Sequence, residues 1–199
     1  MKKNQIKIVV FLLLVLTAFS SCTKDSDAQV SSVSNTLFYD NFDNTDFTTK
    51  GWTTVAEVGT KKWFQKTYNG DGYAFFSTYQ GTEPINVTWL ISKGFDMDKY
   101  DGEKLFFQTC TDGYIKSIDN SLELYVSTDY SGNSSDFSQA SWSKVPATFA
   151  GVADTKYVYV NSGIIDLSSY KGTLYFAFKM RGTNTLTGGY QIDNVRLFY

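Results

Sequence analysis

The chain has 199 residues with 18 Lys+Arg against 20 Asp+Glu, two cysteines, no histidine and 17% aromatic side chains. This balance leaves no basic footprint for nucleic acid. The missing imidazole excludes Ser/His/Asp and Cys/His triads, His-ligated zinc and imidazole acid/base work, so an enzyme here would have only carboxylates to use.

Residues 1–21 read as an export signal. Lys2, Lys3 and Lys7 form a positive head, and the apolar run IVVFLLLVL at 8–16 is too short to span a bilayer. Ala18, Ser20 and Ser21 place small side chains before Cys22, which resembles the lipobox of bacterial lipoproteins, although the usual Leu is displaced from three places before the cysteine. Cys22 is therefore the expected lipidation site, with more acyl chains than stable anchoring needs; plain secretion with a spare thiol is the alternative. The acidic start Thr23-Lys24-Asp25-Ser26-Asp27 resembles the export signals of surface lipoproteins in the Bacteroides group, and any solvated tether would share its polarity. The expected location is the outer membrane, lipid-anchored, with the body at the cell surface. Removing the signal removes three lysines, leaving 15 positive groups against 20 negative, or −5.

Residues 22–35 form a Ser-rich tether, and 36–199 suffice for a single domain. Runs rich in Tyr, Phe, Val, Ile and Thr alternate with Gly, Asn, Asp and Ser clusters, which predicts strands at 36–42, 52–55, 62–66, 73–77, 87–92, 104–111, 121–127, 141–145, 158–166, 172–180 and 189–198. Leu122, Leu124 and Val126 share one face of their strand, as do Leu174, Phe176, Phe178 and Met180 of theirs, so each buries one side against a second sheet. No run of helical period occurs beyond the signal; a turn or two is expected near 135–140. So many strands with long connections indicate an all-β jelly-roll sandwich of two antiparallel sheets. Cys110, in an apolar stretch, reads as a buried inert thiol. The polar segments 112–120 and 129–139 read as solvated connections.

Several spaced motifs carry a family resemblance: Asp40-Asn41-Phe42-Asp43, Gly51-Trp52-Thr53, Gly72-Tyr73-Ala74, Trp89-Leu90-Ile91-Ser92, the stretch from Leu124 to Tyr130, Ser141-Trp142, the stretch from Ile165 to Tyr170, and Tyr190-Gln191-Ile192-Asp193-Asn194-Val195. In order, they resemble the choice-of-anchor J domain, a relative of cleaved-adhesin jelly rolls. The resemblance implies a displayed jelly roll with adhesion or carbohydrate binding suspected and no catalytic role established.

Tyr190 and Ile192 share a face of the last strand while Val195 and Leu197 fall in the opposite phase. A bulge at Asp193-Asn194 restores the alternation and re-aims the Asp193 carboxylate. If first and last strands are neighbours, as in related jelly rolls, Asp193 joins Asp40 and Asp43. Calcium, which takes six to eight oxygens in flexible geometry, suits such a set, and the resemblance to related jelly-roll carbohydrate-binding domains implies a structural ion there. Asn41 stands where the family usually has another acid. The competing role for Asp193 is capping a turn through local backbone amides.

Trp52, Trp63, Trp89 and Trp142 are expected in packing more than in ligand contact. Tyr79, Tyr114 and Tyr130, on loops, are the candidate sugar-contacting residues. The body's glutamates, Glu57, Glu83, Glu103 and Glu123, form no paired strand motif of the kind a glycosidase needs. The leading expectation is a non-catalytic surface lipoprotein that binds glycan or a host surface. The alternatives are an assembly lipoprotein that binds an envelope protein and, last, a carbohydrate-active hydrolase.

Overall fold

Apolar side chains at every second position set which face each strand buries, and that face pairs the sheets. The computed structural model describes residues 35–43, 46–112, 120–186 and 188–199, which fall within the unit Asn35–Tyr199; Cys22 and Tyr114 lie outside the described residues. The strands are β1 (Thr36–Asp40), β2 (Thr53–Val58), β3 (Phe64–Tyr68), β4 (Asp71–Ser77), β5 (Ile85–Ile91), β6 (Phe95–Asp96), β7 (Lys104–Thr111), β8 (Ser121–Ser127), β9 (Ser143–Val145), β10 (Val160–Asn161), β11 (Ile165–Asp166), β12 (Thr173–Thr183) and β13 (Gly189–Phe198).

The first sheet runs β10-β7-β13-β4-β3, with β1 also on β13 and β11 also on β7; the second runs β2-β5-β12-β8-β9, with β6 on β12. The pairings are antiparallel. Ala74, Phe76, Leu105, Phe107, Ile192, Val195 and Leu197 of the first sheet meet Leu90, Leu122, Leu124, Val126 and the predicted Leu174, Phe176, Phe178, Met180 set of the second in one core. Phe107 meets Phe178 edge to face at 4.8 Å between ring centroids. This is the all-β sandwich that the sequence patterning predicts.

The bulge is also present: the β13–β7 register shifts between Asp193 and Arg196, and Asn194 takes a left-handed φ of 51°. Along one edge, β13 pairs with β4 through Gly189–Ile192 and with β1 through Val195–Phe198. The bulge thus sits where β13 changes partner.

The chain departs from the predicted elements in three places. The strand expected at 158–166 is split into β10 and β11, because Gly163 turns the backbone to a φ of 74° between them. The two-residue β6 and the 3-10 turn Phe47–Lys50 are too short to leave a periodic signal. The connection from β8 to β9, read as solvated, instead packs on the outer face of the second sheet. Tyr130, Phe137, Ala140 and Trp142 from it bury Trp89, Ile91 and Ala177 in a second apolar cluster, and its 3-10 turn spans Ser134–Gln139.

Candidate functional site

The β3–β4 hairpin carries aromatic side chains on both of its faces. Trp63, Ala74 and Phe76 point into the core, while Phe64, Lys66 and Tyr68 of β3 and Tyr73, Phe75 and Ser77 of β4 line a cavity of about 1200 Å³ on the outer face of the first sheet. Register places Phe64 beside Phe75, Phe75 beside Gln191, and Gln191 beside Cys110, so one row of outward side chains crosses four strands. Lys61 and Tyr79 stand beyond one end of β4, Asp71 and Tyr68 at the other, and Tyr157, Tyr159 and Asp112 form the facing wall.

Five aromatic side chains among the described residues are strongly exposed: Tyr39 at 36%, Phe64 at 47%, Tyr68 at 69%, Tyr79 at 66% and Tyr157 at 56%. Four of them, all but Tyr39, line this one cavity. Such grouping on a single face is what marks a binding surface, whereas isolated exposed aromatics are ordinary.

The floor is held in place by its neighbours in the row and in the wall. Tyr159 Oη and Cys110 Sγ each donate to Gln191 Oε1 at 3.2 Å, which fixes the amide's orientation. Burial pushes the Cys110 thiol up to about 12, so it stays protonated and inert, as expected of it. Gly189 lets the floor pack closely, since a Cβ there would come within 2.6 Å of Asp112 Oδ2 and 2.8 Å of the Phe75 ring and would displace those side chains. Lys66 Nζ lies 5.0 Å over the Phe75 ring. Lys61 Nζ donates to the Tyr79 carbonyl at 2.7 Å, steadying that loop. Tyr157 is held at a left-handed φ of 59°, its amide donating to the Thr111 carbonyl at 2.8 Å. A non-glycine residue in that region costs about 1 kcal/mol or more, and such strain concentrates at functional sites.

An acidic corner adjoins the groove at the bulge. Asp40, 2% exposed, accepts from the Phe42 amide at 2.9 Å and from Trp52 Nε1 at 2.7 Å. Asp43 accepts from the Gly72 amide at 2.9 Å and from Asn41 Nδ2. Asp193 accepts from the Asn194 amide at 2.6 Å, the local capping bond weighed as its alternative role. Burial first, then the charges of Asp43, Asp71 and Asp40, raise the Asp193 carboxyl to about 7 against the lowering effect of that amide. The three predicted residues Asp40, Asp43 and Asp193 therefore share one corner, with Asp71 as a member that sequence reading missed. Among the described residues, no three Asp, Glu, Cys or His side chains stand close enough to hold one metal ion.

The raised pKa has a stability consequence. Ionised Asp193 is disfavoured in the folded chain, so its contribution is full below about pH 4 and is lost as pH rises through 7. In chelator, Asp193→Asn is expected to gain about 1–2 kcal/mol at pH 8 and nothing near pH 4, a figure discounted for partial exposure. Thermal melts at the two pH values check this.

Of the candidate sugar-contacting tyrosines, Tyr79 lies in the groove, whereas Tyr114 falls outside the described residues. Tyr130 is only 5% exposed, with its ring against Trp142 and Tyr175, so it is a packing residue and offers no face to a ligand. Trp52, Trp63 and Trp89 are each 3% exposed, in agreement with the packing role expected of them. Phe64, Tyr68 and Tyr157 were missed; the available signal was the outward phase of Phe64, Lys66 and Tyr68 opposite a buried Trp63.

The described unit is similar in fold to the K3 cleaved adhesin domain of Lys-gingipain from Porphyromonas gingivalis W83, at 16% identity over 83% of this chain and 100% of that one, with a TM-score of 0.54. The K1 domain of the same protein aligns at 19% identity over 80% of this chain and 96% of that one, with a TM-score of 0.51. At such identities the likeness is one of fold. No curated protein matches the sequence. The family model described as "Domain of unknown function (DUF5017)" matches residues 92–198, which is 107 of 199 residues. With more than half its length so matched, the chain belongs to the DUF5017 family.

Proposed function

We propose that this protein is a non-catalytic surface lipoprotein that binds glycan through the aromatic groove on its first sheet. The observation that carries this reading is the gathering of four exposed aromatic rings, Phe64, Tyr68, Tyr79 and Tyr157, in one cavity. A flat ring matches the C–H face of a sugar, and the tyrosine hydroxyls, Gln191, Ser77 and the groove's charged side chains supply hydrogen-bond partners for sugar hydroxyls. Attachment to the outer membrane is supported by the resemblance of the residues before Cys22 to a lipobox, and surface display by the acidic residues after it. The choice-of-anchor J resemblance fits a domain displayed in this way.

The four glutamates lie away from the groove, and the groove's own carboxylates, Asp71 and Asp112, stand at its end and in its facing wall. Glu57 accepts from Trp89 Nε1 and pairs with Lys179 at 3.1 Å, Glu123 pairs with Lys144 at 2.5 Å, Glu83 accepts from Thr60, and Glu103 is 1% exposed. None of them lines the groove. Retention of the chain on a panel of plant, microbial and mucin glycans, with product analysis of the same samples, tests the reading. Retained and uncleaved glycan is the expected result. Cleaved products contradict the non-catalytic role, and no retention at all moves the weight to an envelope or host protein partner.

A structural calcium at the corner of Asp40, Asp43 and Asp193 belongs to the same proposal, with backbone carbonyls or water completing its shell, since the three carboxylates do not by themselves stand close enough to hold one ion. It is supported by the burial of the Asp193 carboxylate and, after it, the neighbouring charges of Asp43, Asp71 and Asp40, which together disfavour ionisation and which a cation offsets. The ion's part there is to neutralise the corner where β1, β4 and β13 meet. Calcium is expected to raise the melting temperature of the wild type and to leave Asp193→Asn unmoved; an equal rise in both removes the ion from this corner.

A further inference from the structure

The shape of the groove says which part of a glycan it takes. Alternate residues of β4, namely Asp71, Tyr73, Phe75 and Ser77, face the cavity, and Tyr79 continues the line past the strand's end. At about 3.3 Å per residue, the distance from Asp71 to Ser77 alone is roughly 20 Å, several sugar rings long. On β3, Phe64 and Tyr68 stand four residues apart, which sets two exposed rings roughly 13 Å from each other along the same wall. The cavity, about 1200 Å³, is larger than the roughly 300–1,000 Å³ that encloses one small ligand.

Polar groups are spread in the same manner. Lys61 stands by Tyr79, Gln191 lies level with Phe75, and Asp71 pairs with Tyr68 at the opposite end. A pocket for a single sugar or a chain end gathers its donors and acceptors around one ring and closes behind it. Here they are strung along a line, and β3, at the sheet edge, carries no further strand on its outer side among the described residues.

We propose that the groove binds an internal stretch of a linear glycan, lying along β4 between Tyr68 and Tyr79, with separate sugar units on separate rings. This inference rests on the glycan reading above. It is tested by titration calorimetry of the full chain with linear oligosaccharides of one to six units from β-glucan, xylan, mannan, galactan and polygalacturonate. The bound series is expected to gain about tenfold or more in affinity with each of the first few added units and then to level off. Tyr68→Ala and Tyr79→Ala, at opposite ends, are each expected to lower the affinity for long chains by more than that for short ones. Affinity that is independent of length overturns the internal-chain inference and leaves glycan binding standing. Failure of every series to bind overturns the glycan reading and this inference together.

Discussion

Gly72→Ala is expected to cost about 3–4 kcal/mol of stability, among the largest losses from any single methyl group in this chain. A Cβ at Gly72 would stand 1.9 Å from the Phe42 carbonyl oxygen, 2.3 Å from its carbon and 2.7 Å from the Asp43 nitrogen. These are backbone atoms, which no rotamer change relieves. The strain falls where the end of β1 meets the start of β4, and it would displace Phe42, whose ring is 1% exposed and sits 5.7 Å from Trp52. Displacement would also weaken the Gly72 amide bond to Asp43. For a body of this size, such a loss corresponds to a fall in melting temperature of about 10 °C. Gly70→Ala is the control, since Gly70 has a left-handed φ of 96° but nothing within 4 Å of its Cβ position. It should cost only about 1 kcal/mol. Urea unfolding of both variants checks the ranking, and equal losses would remove the close approach as the cause.

The double substitution Phe64→Ala with Tyr79→Ala is expected to weaken glycan binding about a hundredfold while leaving the melting temperature nearly unchanged. Both rings are largely exposed, at 47% and 66%, so little core area is lost. They stand on different elements, one on β3 and one beyond β4, so each loss should persist in the absence of the other. Lys144→Ala, on the second sheet, is the matched surface control; it removes the 2.5 Å pair with Glu123 and should leave glycan affinity as it is. Affinity measurements on the three proteins separate loss of a binding face from general damage.

Much of the fold was legible because burial leaves a local trace. Leu174, Phe176, Phe178 and Met180 announce their inward face by period alone. The bulge was legible for the same reason, since Ile192 and Val195 both reach the core only if an extra residue lies between them. The groove was not legible, because its rows depend on register between strands far apart in sequence. Phe64 reaches Gln191 only through β4, and Gln191 lies more than a hundred residues away. Tyr130 was misread because a polar loop conceals its destination: Ser127 Oγ accepts from its amide at 3.1 Å and turns the chain back, which carries the ring onto the Trp142 and Tyr175 faces. Asp71 was overlooked at the acidic corner because its arrival depends on the Gly72 junction, a close approach between β1 and β4 with no local signature.

The most direct measurement is NMR chemical-shift mapping of the chain titrated with the tightest oligosaccharide that the glycan panel retains. Glycan binding in the groove predicts shifts at Phe64, Lys66, Tyr68, Phe75, Tyr79 and Gln191 on the outer face of the first sheet. Shifts confined to Trp89, Tyr125, Trp142 and Lys179, on the outer face of the second sheet, would contradict it.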